Sequence, residues 1–355
     1  MELIEGLLRQ MLERDGSDLH LVAGDPPRIR IYGDLITLDH PVLDSEALKI
    51  AVDGILPRAQ AEIFKRHDQV DFAHMVEGLA RFRVNVFRHL GGIGAIMRAI
   101  PSTALTLEEL RMPDSVRNLC KHSQGLILVT GKTGSGKSTS LAAMLDNINR
   151  RLKGHILTIE DPIEFVHQRK GCLISQREIG IHAKSFAGAL HSALREDPDV
   201  ILVGELRDLE TMSTAITAAE TGILVMGTLH TNGAAQTVDR LVNAFPPDKQ
   251  PHVRTMLSTS LRGVISQQLC KKKGSSGRVA SLEILINTPA VSNLLRQGKL
   301  DQLENVMQSG MSIGMRTMDG ALQELVDQRM ISGREAYEKA LNKDRFKRYA
   351  NEPAA

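Results

Sequence analysis

The stretch GLILVTGKTGSGKSTSLAAMLDNINRRL, residues 125–152, decides the fold. It opens on GLILVT, a short apolar run of the kind that forms a strand buried on both faces. It closes on STSLAAMLDNINRRL, a helical stretch. Between them GKTGSGKS, Gly131 to Ser138, matches G-x-x-x-x-G-K-[ST] in the strand-then-helix context that this motif requires. Glycines let backbone N–H groups wrap phosphate oxygens without Cβ clashes. The helix N-terminus adds partial positive charge. Gly131, Thr133, Gly134, Ser135, Gly136, Lys137, Ser138 and Thr139 are therefore the expected nucleotide cradle. Lys137 would reach the β- and γ-phosphates, and Ser138 would ligate Mg²⁺. ATP and Mg²⁺ are the expected cofactors.

Downstream, HILTIED, DVILVGE and ILVMGTLHT repeat the short apolar pattern, with helical stretches between them. Continuous apolar strands with helical crossovers predict an α/β domain on a parallel sheet. Each run ends in polar residues at the C-terminal edge, where open α/β sheets bind ligands. The strand Val200 to Val203 ends at Gly204 and Glu205. Glu205 is expected to organise Mg²⁺, through water because a glutamate is longer than the usual aspartate. TIEDPIEF supplies Glu160, Asp161 and Glu164. A carboxylate there can orient or deprotonate the attacking water, with Glu164 favoured and Glu160 second. In GTLHTNGAAQ, His230 stands just beyond its strand, placed to sense the γ-phosphate or to hold the base carboxylate.

The chain has 355 residues, 42% hydrophobic and 24% charged, enough for two or three globular domains. Net charge is +2, aromatics are 3% and tryptophan is absent. A nucleic-acid track needs positive charge and stacking rings, so a RecA-like DNA translocase is disfavoured and no nucleic-acid partner is expected. Cys120, Cys172 and Cys270 form no C-x-x-C pair, which argues against zinc or a disulfide framework and fits a reducing, cytoplasmic compartment. The N-terminus carries acids among its apolar residues, unlike a signal peptide. No 18-residue apolar run occurs, so membrane association is expected only through a partner.

Residues 1 to 100 read as a small α+β domain. A helix over 2–14 precedes three strands, with turns at Gly24–Pro27 and Gly33–Asp34. A helix over 45–66 follows, then three strands to residue 100. In ARFRVNV, Arg81 and Arg83 share one strand face while Phe82, Val84 and Val86 take the other. Residues 101–113, with two prolines and no buried period, read as a linker. The RecA-like region spans 114–290 and a C-terminal helical region spans 291–355. Its end, EAYEKALNKDRFKRYANEPAA, reads as a solvated helix with a frayed tail.

In chain order, GSDLHL, GDPPRIRIYGDL, ARFRVNVFR, GKTGSGKST, TIEDPIEF, LREDPDVILVGELRD, GTLHTNGA, RLVNAFPP, SLRGVISQQL, GRVASLEIL and GMRTMDGAL resemble the ATPases of type II secretion and type IV pili. The chain looks most like the pilus retraction branch, the PilT family, and the resemblance covers nearly all of it. It implies a PAS-like N-terminal domain joined to a RecA-like ATPase domain. It also implies a homo-hexameric ring with hydrolysis at subunit boundaries. The work would be done on an inner-membrane pilus platform protein, from the cytoplasmic face, with a paralogous accessory ATPase as a further partner. By position, Arg83 and Arg98 match the family's small-domain arginines that close on nucleotide phosphates, a role suited to a guanidinium row on one face. Arg195, Arg207, Arg240 and Arg278 are weaker interface or phosphate candidates. PAVSNLLRQ departs from the family's A-I-R-N-L-I-R-E helix at Val291, Ser292 and Gln297, which weakens the inference about how retraction is coupled. Extension ATPases usually carry a longer N-terminal region and two C-x-x-C pairs. Neither is found here, which favours retraction over pilus extension or type II secretion. A retraction-accessory paralogue comes second. A scaffold that only binds nucleotide is disfavoured, because every catalytic residue type is present.

Overall fold

The computed structural model describes residues 2–31, 34–100, 104–274 and 277–351. It divides into two compact units, Met1–Thr103 and Ala104–Ala355. The turn expected at Gly33 and residues 101–103 of the expected linker lie outside the described residues.

In the first unit, α1 (Glu2–Glu13) buries Ile4, Leu7, Leu8 and Met11, which fall on one helical face. The sheet contains β1 (Asp18–Val22), β2 (Arg28–Ile31), β3 (Asp34–Thr37), β4 (Gln69–Val76), β5 (Ala80–His89) and β6 (Gly92–Ile100). Its order is β3-β2-β1-β6-β5-β4, all antiparallel. One face carries Leu19, Leu21, Phe82, Val84, Val86, Ala95 and Met97 into a core with the helices. The other face carries Asp18, Asp71, Arg83, Asn85 and Arg98 alongside Phe87 and Ile96. The helix expected over 45–66 is two helices, α2 (Ser45–Asp53) and α3 (Arg58–His67). Gly54 ends the first, and Pro57 cannot continue it, because proline lacks the N–H and pushes Leu56 out of helical conformation.

The second unit holds α4 (Asp114–Leu119), β7 (Gly125–Thr130), α5 (Lys137–Arg151), β8 (His155–Glu160), β9 (Leu173–Glu178), α6 (Phe186–Ala193), β10 (Val200–Val203), α7 (Leu209–Glu220) and β11 (Leu224–Leu229). It continues with α8 (Ala234–Asn243), α9 (Gln250–Ser260), β12 (Leu261–Lys271), β13 (Arg278–Ile286), α10 (Pro289–Gln297), α11 (Leu303–Ser309), α12 (Met318–Asp327) and α13 (Gly333–Lys339). The sheet order is β13-β12-β7-β11-β10-β8-β9, parallel except for β13. Every residue of β7, β10 and β11 is buried, as their unbroken apolar runs require.

Two expectations need correction. Residues 104–113 are not a bare linker: Leu107 is buried among Ile127, Leu141 and Met144. A reciprocal pair closes the turn that carries it. Glu109 Oε2 accepts from Thr106 N at 2.7 Å, and Thr106 Oγ1 accepts from Glu109 N at 3.2 Å. The C-terminal helices pack onto the ATPase core as well. Val291, Leu294, Leu295, Leu303 and Met307 lie in the same core as the parallel strands. Finally, the last segment is not a solvated helix. Helix α13 stops at Lys339, and Phe346 is fully buried beside Cys270, Met318 and Leu322.

Candidate active site

The glycine loop leaves the end of β7 in a conformation that side chains rarely adopt. Gly131, Gly134 and Gly136 have φ of +142°, +77° and +86°. A Cβ on Gly131 would lie 2.3 Å from the Gln267 carbonyl oxygen, and one on Gly136 2.7 Å from Gln267 Nε2. Gln267, buried on β12, also donates to Ser135 O at 2.7 Å and accepts from Ser140 Oγ at 2.7 Å. It thereby fixes both the loop and the first turn of α5.

Lys137 Nζ donates to Gly131 O at 2.7 Å and Lys132 O at 3.2 Å, so the ammonium folds over the loop. Burial holds its pKa below the usual lysine range, while the Glu205 and Glu164 charges pull it back up. Ser138 and Thr139 are half-buried on the opening turn of α5, and Thr133 and Gly134 are exposed. Among the described residues, no side chain caps the start of α5, and the buried Ser135 Oγ has no partner. Uncapped N–H groups, an unpartnered hydroxyl, an ammonium and a loop with no room for a Cβ at Gly131 or Gly136 together fit a polyphosphate. The Ser138 hydroxyl and the nearby Glu205 carboxylate fit a hard, oxygen-seeking Mg²⁺.

The sheet brings the polar residues of three separate strand ends together. Gly204 N donates to Ile159 O at 2.7 Å, and Thr228 Oγ1 donates to Gly204 O, tying the ends of β8, β10 and β11. Glu205 Oε2 lies 2.7 Å from Arg207 Nε, and Glu205 Oε1 lies 3.3 Å from His230 Nε2. Arg207 also reaches to 3.7 Å from Asp161. Glu205, His230, Arg207 and Asp161 are thus one cluster. Glu160 and Glu164 have different surroundings. Glu160 is buried, accepts from Thr158 Oγ1 at 2.6 Å and Gln176 Nε2 at 3.1 Å, and burial pushes its carboxyl up. Glu164 is exposed to solvent.

Arg83 and Arg98 lie in the first unit, directly opposite each other across β5 and β6. Arg98 Nε is 2.7 Å from the buried Asp18, and Arg83 Nε is 3.7 Å from Asp71. Both guanidiniums keep about half or more of their surface in solvent, at 67% and 48%. Arg81 falls on the same face as Arg83, as the alternation requires. The weaker arginine candidates scatter. Arg195 sits by His191, Arg240 on the exposed face of α8, and Arg278 at the hairpin end opposite Lys271. Sequence reasoning passed over Gln267 and Ser266, although two polar residues inside the apolar run of β12 were a readable signal.

Residues 1–310 match the family model of the type II/IV secretion system protein. The chain belongs to this family. Within the type II/IV secretion family, it is 51% identical to the type IV pilus retraction ATPase PilT of Pseudomonas aeruginosa, over 97% of this chain and 99% of that one. It is 52% identical to a twitching motility protein of Neisseria gonorrhoeae, over 90% and 85% of the two chains. A crystal structure of the pilus retraction motor PilT with bound ADP covers 96% of this chain and 98% of that chain, with TM-score 0.90 and 45% identity. The DotB ATPase of Legionella pneumophila superposes with TM-score 0.80 at 29% identity, over 95% and 94% of the two chains. The chain is a PilT-type secretion ATPase with an N-terminal domain and a RecA-like ATPase domain.

Proposed function

We propose that this chain is the ATP-hydrolysing motor that drives type IV pilus retraction. It acts as a homo-hexameric ring on an inner-membrane platform protein at the cytoplasmic face. The observation that carries the reading is the near full-length match, at 51% identity, to a retraction ATPase. Among the described residues, no helix is long and apolar enough to cross a membrane, which is consistent with attachment through a partner.

The loop N–H groups and Lys137 bind and neutralise the β- and γ-phosphates. The Ser138 hydroxyl, directly, and Glu205, through water, would hold Mg²⁺, which would supply charge stabilisation for phosphoryl transfer. Glu164 orients the attacking water. Its exposure suits that task, whereas Glu160 is buried, with Oε1 accepting from both Thr158 and Gln176. His230, poised on Glu205, responds to the γ-phosphate. Arg83 and Arg98, paired across their strands, supply guanidinium charge to the phosphates.

The deciding experiment replaces the chromosomal gene with a Glu205→Ala form, then counts surface pili and measures twitching. Abundant pili without movement are expected. Bald cells would assign the motor to extension instead. Purified Lys137→Ala should lose at least about 100-fold in ATP turnover, the scale seen when a main electrostatic contact to a transition state is removed. Wild-type turnover in that variant would remove the loop from the mechanism.

A further inference from the structure

Helix α8 begins directly after the turn that carries His230, yet no side chain of its own caps it. Its first N–H groups are satisfied from the β12–β13 hairpin. Ser266 and Glu283 stand directly opposite each other across that hairpin, and both are buried. Ser266 Oγ accepts from Gly233 N at 2.8 Å, and Glu283 Oε1 accepts from Ala234 N at 2.7 Å. The second oxygen, Glu283 Oε2, accepts from Met318 N at 3.2 Å, the first residue of α12. One carboxylate therefore closes the N-termini of two helices, where negative charge is favoured.

We propose that Glu283, assisted by Ser266, is a positioning residue for hydrolysis: it holds the His230 turn in register and ties that turn to α12. The inference rests on the motor reading, since it gives Glu283 its effect through His230. The reasoning is geometric. His230 reaches Glu205 at 3.3 Å from a turn of four residues, His230 to Gly233, whose far end is set by these two bonds. Gly233 is fixed at φ +108°, and a Cβ there would lie 3.4 Å from Glu283 Oε1, so the carboxylate packs against the turn as well as bonding to it. Misplacing a catalytic group by about 1 Å can cost on the order of 100-fold in rate. Burial pushes the Glu283 carboxyl up, with Glu304 and Asp319 adding to it, while the Ala234 and Met318 N–H groups oppose that shift. No other group in the mechanism needs a buried acid at this place.

Glu283→Gln keeps the shape but leaves one acceptor oxygen for two N–H groups. Its kcat should fall about 10- to 100-fold, while binding of a fluorescent ATP analogue changes by less than about twofold, because the phosphate loop is untouched. Ser266→Ala should shift kcat in the same direction by a smaller factor. A double-mutant cycle with His230→Ala separates positioning from general stability. In the His230→Ala background, Glu283→Gln should cause no further loss of kcat. Losses that multiply, or a Glu283→Gln enzyme with wild-type kcat, would overturn the inference. If Glu283→Gln does not fold, the same cycle with Ser266→Ala decides by the same criterion. Wild-type protein without ATP turnover would instead sink the motor reading, and the positioning role with it.

Discussion

His167 shows how one side chain links the site's loop to acid sensitivity. It follows the acidic cluster of TIEDPIEF and is half-buried, with its backbone N–H on Gln176 Oε1 at 2.8 Å. Burial, helped by Lys170 and opposed by Asp146, lowers its pKa from 6.5 to about 4. The unfolded chain therefore takes up a proton near pH 6.5 that the folded chain refuses until about pH 4. Stability is lost as pH falls through that window, by at most about 3 kcal/mol. Urea unfolding of wild type and His167→Gln should diverge across this range and run parallel above it. Parallel curves throughout would show that the imidazole is not held neutral. At this scale the loop was legible because eight consecutive residues, Gly131 to Ser138, carry the whole motif. The role of Gln267 was not, although its polarity inside β12 was a signal, because its partners Ser135 and Ser140 lie far away in the chain and only sheet order brings them together. The different surroundings of Glu160 and Glu164, one buried and one exposed, could not be read from their spacing.

At the scale of elements, the reading succeeded where burial is two-sided and faltered where it is partial. Strands β7, β8, β10 and β11 announce themselves as apolar runs. Strand β9, LISQRE, sits at the sheet edge with mixed burial, so four of its six residues are polar and its pattern is weak. The stretch before α4 was misread because prolines and small residues masked a capping box, T-L-E-E, that is itself a readable signal. The structure gives that stretch a mechanical stake in the ATPase unit. Leu107→Ala should destabilise this unit by about 2–4 kcal/mol, the usual range for emptying a buried leucine site. Chemical denaturation of the intact chain measures it. A change under about 0.5 kcal/mol, typical of surface positions, would return the segment to the status of a linker.

Across the whole molecule, parallel strands place every loop that follows them on one edge, which is why motifs far apart in sequence meet in one cluster. Their order along the chain made the fold class readable before any geometry, while the packing of the C-terminal helices onto the same core was not, because amphipathic helices do not name their partners. The ATPase unit also encloses all three cysteines. Burial pushes the Cys120 and Cys270 thiols up to about 12, and raises Cys172 as well. Thiolate is the reactive form, so native protein should take up iodoacetamide slowly at neutral pH and label at all three sites once denatured. Rapid native labelling would reveal an opening of the core. The tight approach of Gln267 to Gly131 carries a different consequence, for inheritance. No side chain can be added at Gly131 unless β12 moves, and β12 also bears Ser266 on its other side. The phosphate loop and the part of β12 that carries Gln267 must therefore change together or not at all, and a chimera that borrows one from a relative has to borrow both.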